Sequence, residues 1–139
     1  MNFNDKLILA IDFDGTIVDD AYPKIGKPKL FAIDTLKQLQ ADGHRLILWT
    51  YRSEQQLDEA VAFCKSKGIE FYAVNKSFPE EVFDASKSRK IHADLFIDDR
   101  NIGGFLGWGE VYQHLSNPKK NQKPPKKKKG FFSFLKKDS

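Results

Sequence analysis

A chain of 139 residues, 40% hydrophobic and 30% charged, has the apolar material for one folded domain and excludes a low-complexity or fibrous polymer. Its net charge of +4 is unevenly shared: residues 117–139 hold nine lysines against Asp138, leaving 14 basic and 18 acidic side chains, a net of −4, in residues 1–116. That split excludes a uniformly basic nucleic-acid-coating domain and assigns any attraction to anionic partners to the tail.

Residues 7–11, Leu-Ile-Leu-Ala-Ile, predict a strand buried on both faces, as in a parallel sheet under helices. The run stops at Asp12 and Asp14, spaced i, i+2, before Gly15 lets the backbone turn. Tyr22-Pro23, Gly26 and Pro28 make 17–28 an irregular loop. A helix is expected over 29–40, with Ala32, Ile33, Leu36 and Leu39 on one face and Gly43 as its stop. A second strand, 45–49, leads to Thr50-Tyr51-Arg52. Ser53 and Gln56 have capping-box spacing ahead of a helix carrying Leu57, Ala60, Val61 and Cys64 on one face, which ends at Gly68.

A third strand is expected over 69–74, then loop plus a short helix over 75–90. A fourth strand, 95–97, ends at Asp98-Asp99. Gly103, Gly104, Gly107 and Gly109 read as loop, and 110–115 as a closing helical turn or two. Strands alternating with helices predict right-handed crossovers and a parallel sheet in a layered α/β fold. Ligands of such sheets bind outside the carboxyl ends of the strands. Three of those ends carry Asp12/Asp14, Thr50 and Asp98/Asp99.

Four carboxylates, a hydroxyl, and cations drawn from Lys87, Arg89, Lys90, Arg52 and Arg100 are the chemistry on offer. Ionised carboxylates about 4 Å apart repel by roughly 1 kcal/mol in water and about 4 near a protein surface, so a positive partner is expected between them. Hard oxygen ligands favour Mg2+, which is commonly held by one or two carboxylates plus a substrate phosphate. A carboxylate can also attack phosphorus and split one difficult displacement into two. Arg52 and Arg100 suit either a phosphate contact or a structural ion pair.

Asp12-Phe13-Asp14-Gly15-Thr16, Thr50 after an apolar strand, a lysine near position 90 and Asp98-Asp99 together resemble the four motifs of the haloacid dehalogenase (HAD) superfamily, over about residues 5–115. The resemblance implies a three-layer Rossmann-like domain with a central parallel sheet, catalysing Mg2+-dependent phosphomonoester hydrolysis through an aspartyl-phosphate. It makes Asp12 the nucleophile and Asp14 the acid/base that protonates the leaving group. Thr50 would bond the phosphoryl oxygens, and Lys90, or Lys87 one turn earlier, would neutralise charge. Asp12, Asp14 and Asp98 would hold the metal, with Asp99, Gly15 and Arg52 in support. An acid at position 14 points to a phosphatase rather than a dehalogenase. The intervals 15–29 and 75–92 are too short for a folded cap, so a capless, open site is expected, one that takes a large phosphorylated partner or is covered by another subunit of an oligomer.

Two other readings stand beside this one: a non-catalytic binding or adaptor protein on a HAD-like fold, recruited through its basic tail, and a nucleotide or polynucleotide phosphatase. Cys64, on an apolar helical face, reads as core; as the single cysteine it excludes an internal disulfide and fits a cytoplasmic setting. His44, His92 and His114 have no ligand spacing. No run approaches the ~20 apolar residues of a membrane span, and no secretory signal is evident. The Pro- and Lys-rich tail, 117–139, predicts disorder. Phe131, Phe132, Phe134 and Leu135 among its lysines suit an anionic membrane surface, nucleic acid, a protein partner, or simple solubilisation.

Overall fold

Four short apolar runs pair side by side in the computed structural model, which describes residues 6–116. The basic tail and the contacts expected of it lie outside the described residues. In chain order the elements are β1 (Ile8–Ile11), α1 (Ala32–Ala41), β2 (Arg45–Leu48), α2 (Glu54–Ser66), β3 (Ala73–Val74), β4 (Leu95–Ile97) and α3 (Trp108–Ser116). The strands form one parallel sheet in the order β3-β2-β1-β4.

The side-chain alternation of β1 divides the interior. Leu9 and Ile11 join Leu46 and Leu48 in a core closed by Leu36 and Leu39 of α1, Ala60 and Cys64 of α2, and Trp108, Val111 and Leu115 of α3. Ala10 and Ile47 face the other way, onto Ala73 and Ile91. All three helices therefore contribute to one face, and the irregular crossover leading to β4 covers the second. The result is the layered α/β, Rossmann-like architecture expected from the sequence. Its third layer is irregular chain, because 75–90 forms turns and contains no helix.

Other boundaries move for local reasons. The helix expected from 29 begins at Ala32: the Lys29 N–H is spent on the Ile17 carbonyl (2.8 Å) and its Nζ on Asp19 (3.2 Å), fastening the returning loop. The third strand shrinks to two residues, because the Ile69 N–H turns back to the Cys64 carbonyl (3.0 Å) to close α2. Ser53 takes the N-cap position of α2 with extended backbone but makes no side-chain cap bond, so the capping box does not form. Gly109 belongs to α3 rather than to the preceding loop. Among the described residues, 15–29 and 75–92 contain only turns and isolated bridges, with no folded cap.

The register positions the site. Ile11 pairs with Leu48 on one side and Ile97 on the other, and Leu48 pairs with Val74. The next residues, Asp12, Trp49, Asn75 and Asp98, therefore come level along the carboxyl edge. Backbone bonds hold them there: Asp12 N–H to the Ile97 carbonyl (3.0 Å), Trp49 N–H to that of Ile11 (2.8 Å) and Asn75 N–H to that of Leu48 (2.8 Å).

Candidate functional site

Asp12, Asp98 and Asp99 meet at this edge, each half-buried, with a carboxylate oxygen from each lying within 4.8 Å of the others. Tight turns make the meeting possible. The Phe13 carbonyl accepts the N–H groups of Thr16, Ile17 and Val18, at 2.9 to 3.2 Å, and folds the chain back below Asp12. Gly15, at φ +89°, lies so close to Asp99 that a Cβ there would collide with Asp99 Oδ2. The Asp98 Oδ1 accepts the Arg100 N–H (2.8 Å), which fixes the other acid-bearing turn.

Burial and the neighbouring charges of Asp98 and Asp99 push Asp12 up to about 7, partly offset by the Thr16 hydroxyl, which donates to Asp12 Oδ2 at 3.0 Å. Thr16 is in turn held by α3, whose buried Trp108 donates its indole N–H to the Thr16 carbonyl (2.8 Å). Three carboxylates crowded with no ion pair to any of them among the described residues, and with no thiol or imidazole in the cluster, fit a hard divalent ion such as Mg2+, whose ligand distance is about 2.1 Å.

Asp14, expected as a third ligand and as acid/base, is placed differently. Its side chain is 1% exposed, and Arg52 grips both its oxygens, Nε to Oδ2 at 2.7 Å and Nη2 to Oδ1 at 2.8 Å. Asp99 takes the third place in the acid cluster instead. Arg52 is itself wholly committed. Besides the two bonds to Asp14, Nη2 reaches the Lys24 carbonyl (2.8 Å), and Nη1 reaches those of Pro23 (3.2 Å) and Gln56 (3.2 Å). Five N–H donors have five acceptors, so Arg52 is a structural clamp with no donor left for a phosphate. The hydrogen bonds to Asp14 hold its guanidinium above the usual arginine range.

Thr50 sits half-buried at the same edge. Its N–H donates to the Asn75 side chain (2.8 Å), and its hydroxyl oxygen accepts the Arg52 N–H (3.1 Å). Lys87 and Lys90 do not line the cleft that holds Asp12 and Asp98. Both are exposed and line a separate hollow of about 130 Å³ with Asn75 and Lys76. The cause is topological: a parallel strand must start at the amino edge, and Asp94 already bonds Ile8 there, N–H to carbonyl at 2.8 Å. Chain just ahead of β4 is thus descending away from the acids. Lys76, half-buried two residues beyond β3, is the described lysine that directly follows a strand's carboxyl end. The strand-end rule, applied to β3 as to the other three, would have found both Lys76 and Asn75.

A cleft of about 480 Å³ opens over the acids, lined by Asp12, Asp14, Asp98, Asp20, Trp49, Tyr51 and Arg100. That is within the ~300–1,000 Å³ usual for small-ligand sites. Another hollow, about 160 Å³, lies between β4 and α3 and shares Asp98 with the cleft. Among the described residues no helix is long and apolar enough to cross a membrane.

Fold and site together define an α/β, Rossmann-like domain with an acidic cluster at the carboxyl edge of its sheet. A solved structure, that of a conserved protein coded by a locus of Bacteroides thetaiotaomicron, is similar to the chain at 50% identity with a TM-score of 0.77, covering 86% of this chain and 94% of that one. At that identity and coverage the chain belongs to the same family as the Bacteroides protein. No protein-family model and no curated protein matches it.

Proposed function

We propose that the chain is a Mg2+-dependent phosphomonoester hydrolase of the HAD type, with Asp12 as nucleophile. The observation that carries this reading is the convergence of Asp12, Asp98 and Asp99 on the carboxyl edge of a parallel sheet, where Asp12 and Asp98 line an open cleft. A divalent cation held by these carboxylates would supply the positive charge that lets an anionic phosphate approach an anionic nucleophile. Thr16 fixes the rotation of the Asp12 carboxylate through Oδ2. Attack by Asp12 on phosphorus breaks the ester P–O bond, the leaving oxygen takes the bonding pair and a proton, and water then cleaves the acyl phosphate to return Asp12 and inorganic phosphate. Arg100 lines the cleft with the acids, and Lys76, half-buried just past the carboxyl end of β3, is the lysine we assign to offset the charge of the phosphoryl oxygens.

Both carboxylate oxygens of Asp14, the expected acid/base, are taken by the Arg52 guanidinium rather than left free toward a leaving group. That single observation supports a second reading, an adaptor that binds a phosphorylated ligand without turning it over. A phosphomonoester panel, with and without Mg2+, on wild type and Asp12→Asn separates the two. Metal-dependent phosphate release that is lost in the variant supports the hydrolase. Ligand binding with no release on the whole panel supports the adaptor.

A further inference from the structure

We propose that the cleft selects phosphomonoesters whose leaving group carries a planar aromatic ring, such as a nucleoside monophosphate or an aryl phosphate, stacked against Tyr51. The proposal rests on the phosphatase reading of the acid floor and names its substrate class. Trp49 and Tyr51 flank Thr50 at the end of β2 and line the same cleft as Asp12 and Asp98. Tyr51 is 60% exposed, yet its ring is not left to move freely in solvent: it lies on Tyr22, itself 44% exposed, with centroids 5.0 Å apart and planes tilted by 49°.

Tyr22 is in turn seated over the Arg52 guanidinium at 5.1 Å, and the same guanidinium lies 5.1 Å from the buried Phe13 ring. Arg52 cannot shift without losing five hydrogen bonds, so a rigid stack runs from the core through Arg52 and Tyr22 to an open aromatic face at the cleft. Exposed aromatic surface held in order is a preformed stacking platform. Arg100 lines the cleft as well, and its side chain has no hydrogen bond or ion pair among the described residues, leaving a planar cation to meet the ring or a second anionic group. A small aliphatic phosphate would use the acids and leave this wall uncovered.

The test titrates AMP, phenyl phosphate and glycerol 1-phosphate into the full-length wild type in Mg2+ buffer, read by tryptophan emission and by calorimetry, with kcat/KM measured in parallel. The ring esters are expected to bind about 5- to 150-fold more tightly than glycerol 1-phosphate, the range that base stacking on an aromatic side chain supplies. Tyr51→Ala should erase that preference and Tyr51→Phe should keep it. Equal binding of the three, a preference that survives Tyr51→Ala, or no binding of any of them overturns the proposal. Preferential binding without hydrolysis refutes the phosphatase reading alone; hydrolysis of all three at equal kcat/KM refutes the ring preference alone.

Discussion

Replacing Asp12 with asparagine should make the metal-free protein more stable at neutral pH, although it removes the proposed nucleophile. The carboxyl's ordinary value is 3.8, and burial with Asp98 and Asp99 alongside lifts it to about 7. Between those values the folded chain holds a proton that the unfolded chain has released, so stability falls as pH rises through that window and the full penalty is present above it. A gap of about three units at 1.36 kcal/mol each sets a ceiling near 4 kcal/mol, and the partial exposure of Asp12 reduces it to roughly 2. For a domain of this size that is a difference in Tm of about 5–10 °C. Asparagine keeps the acceptor for Thr16 and carries no charge. Thermal unfolding in EDTA, followed by circular dichroism, should show wild type losing ground to the variant between about pH 4 and pH 8. Mg2+ should restore the wild type and raise the variant much less. Parallel pH profiles for the two proteins, unaffected by Mg2+, would refute the reasoning.

Arg52→Met strands the Asp14 carboxylate in a buried site and should cost about 3–5 kcal/mol in urea unfolding, with Arg52→Lys recovering little because an ammonium cannot serve five acceptors. A loss below about 1 kcal/mol would mean the pair is not structural. Gly15→Ala forces a side chain into Asp99 at a left-handed backbone position and should weaken Mg2+ binding about tenfold or more by calorimetry; unchanged affinity would remove Asp99 from the site. Lys76→Ala should lower kcat/KM by about a hundredfold, as loss of a charge-stabilising group does, while Lys87→Ala and Lys90→Ala stay within a few-fold. The opposite ranking would restore the lysines nearer β4. Cys64, fully buried and pushed up to about 12, should resist iodoacetamide at pH 8 until the protein is unfolded.

The sheet was legible because a parallel strand covered on both faces leaves an unbroken apolar run, and three such runs ended in residues able to do chemistry. Helix periods at 32–39 and 57–64 were equally plain, since each helix presents one stripe to one core. The acids of the first and fourth strands could be paired from sequence alone, because parallel strands must bring their carboxyl ends together. What lay hidden was decided by chain path rather than by local pattern. No periodicity in 75–94 says that the segment crosses the sheet as irregular chain and puts Lys87 and Lys90 in a hollow separate from the acid cleft. An arginine is seldom fully buried, so nothing marked Arg52 as the clamp on Asp14. Thr16 and Asn75 have short polar side chains that bond nearby backbone in many turns, and only coordinates distinguish those uses from support of Asp12 and Thr50.

Calorimetric titration of Mg2+ into wild type, Asp12→Asn, Asp98→Asn and Asp99→Asn tests most directly whether two strand ends build one cation site. The account predicts a single ion per chain for wild type, taken up with release of a proton near pH 7, and a weakening of about tenfold or more in each variant. Four superimposable isotherms, or binding that survives the loss of Asp12 while disappearing with Asp98, would contradict it.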